Sequence, residues 1–165
     1  MTFPNFNYGY YRNLAIAGGN YYNSDVTFNN ATLNPANGIV YVEGTATFSG
    51  VCHLYGGVVA DRIFVLGELY QHRSGTRNVI ISRTGDIRIF YRLDTEEALV
   101  YAGEDFRVFN IGSRINITGT LIAGRYLRMW DFLTYITYNH RVLYPDGLVI
   151  STPSGVPIEV VSWTR

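Results

Sequence analysis

Val40-Tyr41-Val42-Glu43-Gly44, Val58-Val59-Ala60-Asp61, Ile80-Ile81-Ser82-Arg83, Val100-Tyr101-Ala102-Gly103 and Leu121-Ile122-Ala123-Gly124 are five versions of one short phrase, spread between Gly38 and Asn139. From Val40 the openings follow at steps of 18, 22, 20 and 21 residues, the spacing at which internal repetition signals stacked repeats. After each opening come a polar corner and a second alternating run: Ala46/Phe48, Ile63/Val65, Ile87/Ile89, Phe106/Val108 and Leu127/Met129. Superposed, the repeats give four inward columns, one of them small (Val42, Ala60, Ser82, Ala102, Ala123). Two short strands per repeat, with room for a third, describe one coil of a parallel β-helix. An antiparallel meander also repeats short strands at regular intervals. The agreement of the small column and of the gap between paired strands favours the helix.

The expected fold is therefore all-β: a single-stranded, right-handed parallel β-helix, or β-solenoid, of about five coils. A single domain spans residues 1–165, with an N-terminal cap over 1–37, coils over 38–139 and a C-terminal cap over 140–165. Glycines at the corners, such as Gly44, Gly67 and Gly103, suit tight turns.

Composition limits what such a rod can do. The 165 residues fit one domain with a real core. Aromatic residues make up 15% of the chain, including 14 Tyr, a high content typical of extracellular or binding surfaces. Every basic residue is Arg, and net charge is zero, so no global field draws in nucleic acid or anionic lipid. Anion binding would need a local patch. Cys52 is the only cysteine, so an internal disulfide is excluded; beside Val51 and Leu54 it reads as a small buried hydrophobe. No apolar run approaches the ~18 residues of a membrane span, and no charged-then-apolar leader follows Met1. Membrane insertion by this chain is not expected.

Residues 1–37 are polar, aromatic and rich in turns, as in Tyr8-Gly9-Tyr10-Tyr11 and Gly18-Gly19-Asn20-Tyr21-Tyr22. No helical period is visible, and Leu14-Ala15-Ile16-Ala17 reads as a buried strand. Because a solenoid exposes an apolar end and an unpaired strand edge, this segment is expected to cap the first coil. A Tyr-rich sugar-binding loop is the functional alternative. Arg92–Ala98 reads as a charged loop with room for a helical turn. Beyond Asn139, Tyr144-Pro145-Asp146-Gly147 is a turn, Leu148-Val149-Ile150 a strand, and Val160-Val161-Ser162-Trp163 a closing strand.

Gly38–Gly44, Leu99–Phe106, Ile117–Gly124 and the closing Val160–Trp163 resemble the C-terminal β-solenoid region of bacterial PilX-like type IV pilus assembly proteins and solenoid-bearing minor pilins. The likeness runs from about Tyr10 to the end, without the family's N-terminal prepilin helix. It implies a non-catalytic structural, assembly or surface-presentation module, extracellular or in the cell envelope, whose partners are other pilus or envelope proteins. A shorter likeness, limited to the coils, is to bactofilins, cytoskeletal β-helices that polymerise end to end.

Between the third and fourth inward columns, alternation turns Thr47, Phe64, Arg88, Arg107 and Arg128 outward. Three arginines stacked ~4.8 Å apart repel one another. Asp86 and Asp105, two residues earlier in their coils, are expected to offset them in an exposed ion-pair network of small energetic worth. Alternatively the face binds DNA or an acidic polysaccharide, since Phe90, Phe109 and Trp130 stack one step further on and arginine beside aromatics is the composition of a single-strand-binding groove. The third possibility is an enzyme. Glu43/Asp61, Asp86/Asp105 and Glu96/Glu97 are the carboxylate pairs available for glycoside cleavage, although Arg83, Arg88 and Arg107 lie beside them. No catalytic residue is assigned. His53, His72 and His140 stand apart, without a partner at ligand spacing, so neither a metal nor another cofactor is expected.

Overall fold

The structure, a computed structural model, describes residues 5–109, 112–129, 134–138 and 148–149. It begins with β1 (Asn5–Phe6) and a helix, α1 (Tyr8–Ala17). The chain then winds through about six stacked turns. Turn one is β2 (Tyr21–Tyr22), β3 (Val26–Asn29) and β4 (Thr32–Leu33); turn two is β5 (Ile39–Ser49) and β6 (Val51–Tyr55). β7 (Gly57–Val65) and β8 (Glu68–His72) make turn three, and β9 (Val79–Ser82) and β10 (Ile87–Ile89) open turn four. β11 (Arg92–Ala102) ends turn four and starts turn five, which continues through β12 (Phe106–Val108) into β13 (Arg114–Ala123). The second half of β13, with β14 (Leu127–Met129) and β15 (Thr134–Tyr138), forms turn six. A last strand, β16 (Leu148–Val149), pairs antiparallel with β1.

Every pairing between successive turns is parallel and in the register that the repeats imply. Val40 pairs with Val58, Val58 with Ile80, Ile80 with Val100 and Val100 with Leu121. Length differences between repeats sit in the corners and in bulges within β5 and β11: the 22-residue step from Val58 to Ile80 contains the corner between β8 and β9. The solenoid is thus three-sided. The first sheet carries the repeated openings and the second the Ala46/Phe48 run and its equivalents. A third carries columns such as Cys52/Leu69/Leu93/Ile115. The interior is one continuous cluster from Phe28 to Ile117 in which Val40, Phe48, Ile63, Leu69, Ile89 and Phe106 are fully buried or nearly so.

Three expectations are corrected. The coil count is about six instead of five, because Tyr21–Leu33, read as part of the cap, forms a turn of its own against β5 and β6. Leu14–Ala17 is the end of α1 and not a strand. Asn7 caps its start, accepting from the Tyr10 N–H at 3.0 Å, and the Gly18-Gly19 pair ends it, with Gly19 at φ 72°. Only Tyr11 and Ala15 on the helix are buried, one i,i+4 pair, which is too thin a stripe to show as a period. Finally, Arg92–Ala98 is no loop. β11 runs straight through it, and a bulge sets Glu96 and Glu97 against Thr118 alone. A matching bulge in β5 sets Glu43 and Gly44 against Asp61; Gly44 has φ 131°, and a β-carbon there would strike the Asp25 carboxylate.

The helix explains why the openings are apolar at consecutive positions. Val40, Val58 and Ile80 face the interior, while Ile39, Tyr41, Val59, Ile81, Leu99 and Tyr101 face outward and are buried with Phe6, Tyr11 and Ala15. The first sheet is therefore covered on both faces, as continuous hydrophobic runs require. Each fully buried aliphatic contributes about 1.5–3 kcal/mol relative to exposure, so the flanking layer is a second core. Trp130, His140 and the closing strand read at Val160–Trp163 lie outside the described residues.

Candidate functional site

The second sheet holds the arginine column. Thr47 pairs with Phe64, Phe64 with Arg88, Arg88 with Arg107 and Arg107 with Arg128, so the residues form one outward stack. Arg88 binds the Asp86 carboxylate through Nε at 3.0 Å and a terminal nitrogen at 2.9 Å. Arg107 holds Asp105 through Nε at 3.0 Å and lies 3.7 Å from Asp86. Asp105 also accepts from Arg125 Nε at 2.8 Å. Arg88 and Arg107 are paired as expected, but their anions are not exposed: Asp86 and Asp105 are both buried beneath the arginines. Hydrogen bonding from Arg125, with that from Arg107, holds the Asp105 carboxyl well below the ordinary carboxylate range against the opposing effect of desolvation.

Aromatic rings pave part of this face. The Arg88 guanidinium lies 5.2 Å from the Phe64 centroid and 5.9 Å from that of Phe109. Phe90 and Phe109 stack at 4.8 Å with an 8° tilt. Arg128 sits 4.9 Å from the Tyr126 ring and has no ion pair among the described residues. Two shallow depressions of about 190 and 340 Å³ follow the adjoining corner with the third sheet, one bounded by Tyr91, Arg92 and Arg114, the other by Val51, Leu66 and Phe90. Neither is lined by the three carboxylate pairs that a hydrolase would use.

Those pairs are otherwise engaged. Arg83 bridges Glu43 at 2.8 Å and Asp61 at 2.5 Å, and Arg12 reaches Glu43 at 3.0 Å. This network edges the helix layer: the Arg83 guanidinium lies 5.9 Å from the Tyr8 ring, and burial pushes the Tyr8 phenol up to about 12. Glu97 meets Arg73 at 3.1 Å. Glu96 accepts from His72 and from the Arg73 backbone N–H, both at 3.0 Å, which lowers its carboxyl below the ordinary value, His72 having the larger effect.

The third sheet contains the group that the sequence reading missed. His53 and His72 meet, Nδ1 to Nε2, at 2.9 Å. They are 19 residues apart and project outward from neighbouring turns, since His53 pairs with Tyr70 and Tyr55 with His72. The local repeat is 17 residues, so a separation of 19 makes them diagonal neighbours on one face, a signal available once the third strand of each coil is placed. No family model, curated protein or solved structure matches the chain.

Proposed function

We propose that the chain is a non-catalytic structural or surface-presentation module, a rigid rod whose outer faces do its work. In this reading it serves a type IV pilus-like system, extracellularly or in the cell envelope, with pilus or envelope proteins as partners, as the sequence resemblance implies. The observation that carries the non-catalytic part is the state of the carboxylates. A glycosidase needs one acid with a raised pKa beside a free base, whereas Asp105 is driven the other way and Glu43, Asp61 and Asp86 are each held by an arginine. Incubation with acidic and neutral polysaccharides, read by a reducing-end assay, is expected to release nothing from the parent chain or from Asp105→Asn. Product that Asp105→Asn abolishes would overturn the reading. Fractionation of the source cells tests location, with recovery in the cytosol alone counting against the envelope.

A second reading, binding of DNA or an acidic polysaccharide, is favoured by one arrangement. Among the described residues, Arg62, Arg88, Arg107, Arg125 and Arg128 share this face with carboxylates that include Asp86, Glu104 and Asp105, beside stacked Phe90 and Phe109. Salt-sensitive binding that is lost in the Arg88/Arg107/Arg128→Ala triple variant would establish it. No binding at low salt would leave the ladder a sheet-surface ion network.

A further inference from the structure

His53 and His72 form the middle of a chain of hydrogen bonds that starts at a carboxylate. His72 Nδ1 lies 3.0 Å from Glu96 Oε1. An ionised carboxylate only accepts, so the hydrogen sits on His72 Nδ1 and leaves Nε2 of the neutral ring bare. His53 Nδ1, 2.9 Å away, is then the donor. The two rings are tilted by only 13°, with centroids 5.2 Å apart. That exceeds the nitrogen separation by about the two ring radii, so the nitrogens point straight at each other and the rings do not overlap.

The surroundings hold this geometry. Tyr55 stacks on His72 at 4.6 Å and Tyr70 on His53 at 5.2 Å, one on each ring. Glu96 is fixed by the Arg73 N–H, and its own N–H donates to Gln71 Oε1 at 3.2 Å. Glu96 lies in the β11 bulge, a device that re-aims side chains. Glu68, Asp94 and Glu97 add negative charge on the same face, where Arg73, Arg92 and Arg114 are the cations. A carboxylate that fixes the far nitrogen of a histidine, so that the near one offers a lone pair, is the outer-sphere pattern of metal-binding imidazoles.

We propose that His53 and His72 are a two-histidine anchor for one late first-row divalent ion, such as Zn²⁺ or Cu²⁺, with Glu96 orienting His72 and water completing the shell. The ion takes the bare Nε2 of His72 directly. The His53 hydrogen moves through solvent from Nδ1 to Nε2, freeing Nδ1, so both rings stay neutral and no net proton is released. Two nitrogens at ~2.0–2.1 Å from a tetrahedral ion stand about 3.3 Å apart. The pair must therefore open by a few tenths of an ångström, and each ring must turn by roughly 35° so that the two lone pairs converge on the ion instead of facing one another. Among the described residues the His53 side chain makes no other hydrogen bond that would resist this. Zinc and copper are among the ions that imidazole suits.

Zn²⁺ titration of the untagged chain by calorimetry tests the site. The expected result is one ion per chain, with binding lost in His53→Gln and in His72→Gln and unchanged in His140→Gln. Glu96→Gln should weaken affinity by about 10–100-fold, as loss of an outer-sphere partner does. No Zn²⁺ binding, or binding that survives in both His53→Gln and His72→Gln, overturns the proposal. Imidazole ¹⁵N spectra of the parent chain give a second test that needs no variant. Zn²⁺ should perturb Nδ1 of one histidine and Nε2 of another, and a pattern confined to other nitrogens would also overturn it.

Discussion

The first and second sheets share strands, register and rung spacing, yet their outer faces meet opposite fates. In the first, the outward column Tyr41, Val59, Ile81 and Tyr101 is apolar and buried beneath α1 and Phe6. In the second, the outward column ends in Arg88, Arg107 and Arg128, and nothing among the described residues covers it. The inward columns specify a solenoid in both cases. What lies on top is decided by the column facing out. An apolar column recruits a helix and becomes a second core, whereas a charged one draws carboxylates beneath it and stays in water.

If the helix layer is a core, truncating it should be costly. Tyr41 is nearly inaccessible, and its hydroxyl accepts from Arg83 at 2.5 Å. Tyr41→Ala is expected to lose about 3–5 kcal/mol, the range for large aromatic truncations, read from urea unfolding. A loss below ~1 kcal/mol would mean that α1 is an appendage. The next test falls on the buried anion of the other face. The Asp105 carboxyl is depressed in the folded chain, so its contribution is complete above the unfolded value of about 3.9. It declines as pH falls below that value and vanishes only once the folded carboxyl is protonated, well under the ordinary range. Asp105→Asn should be less stable at pH 7 and show a shallower fall in urea midpoint between pH 5 and pH 2. Parallel curves would remove Asp105 from the acid response.

The inward columns were legible because burial repeats at every turn: five openings and a small column leave little freedom in register. Even so, a turn was missed, since Tyr21-Tyr22 and Val26–Asn29 satisfy the same pairing with few of the same residues. In the first turn inward positions are held by the aromatic Tyr22 and Phe28, so the aliphatic pattern is lost there. The flanking helix was illegible because its contact with the sheet rests on Tyr11 and Ala15, although the double apolar face of Ile39–Val42 already asked for a cover. The arginine stack and its aspartates could be read from alternation within a strand. His53 and His72 could not, because the repeat pattern does not place the third strand of each coil, and only its register makes 19 residues a short distance.

Between the two sheets lies the Arg83 network, which joins Glu43, Asp61 and Tyr41 at the rim of the helix layer. Arg83→Met keeps much of the side chain's bulk and removes these bonds, so a loss of about 1.5–3 kcal/mol is expected, the worth of hydrogen bonds to charged groups. The smallest effect belongs to the arginine face. Arg88 is 37% exposed at its side chain, and exposed ion pairs contribute about 0.2–1 kcal/mol. Arg88→Gln would not strand Asp86, because Arg107 remains 3.7 Å from it and the Asp105 backbone N–H donates to it at 3.3 Å. Its expected cost is therefore under ~1 kcal/mol by the same urea measurement. A cost for Arg88→Gln equal to that of Tyr41→Ala would erase the distinction between a covered core and a solvated face. It would make the arginine column a structural spine of the solenoid, with its charge unavailable to any ligand.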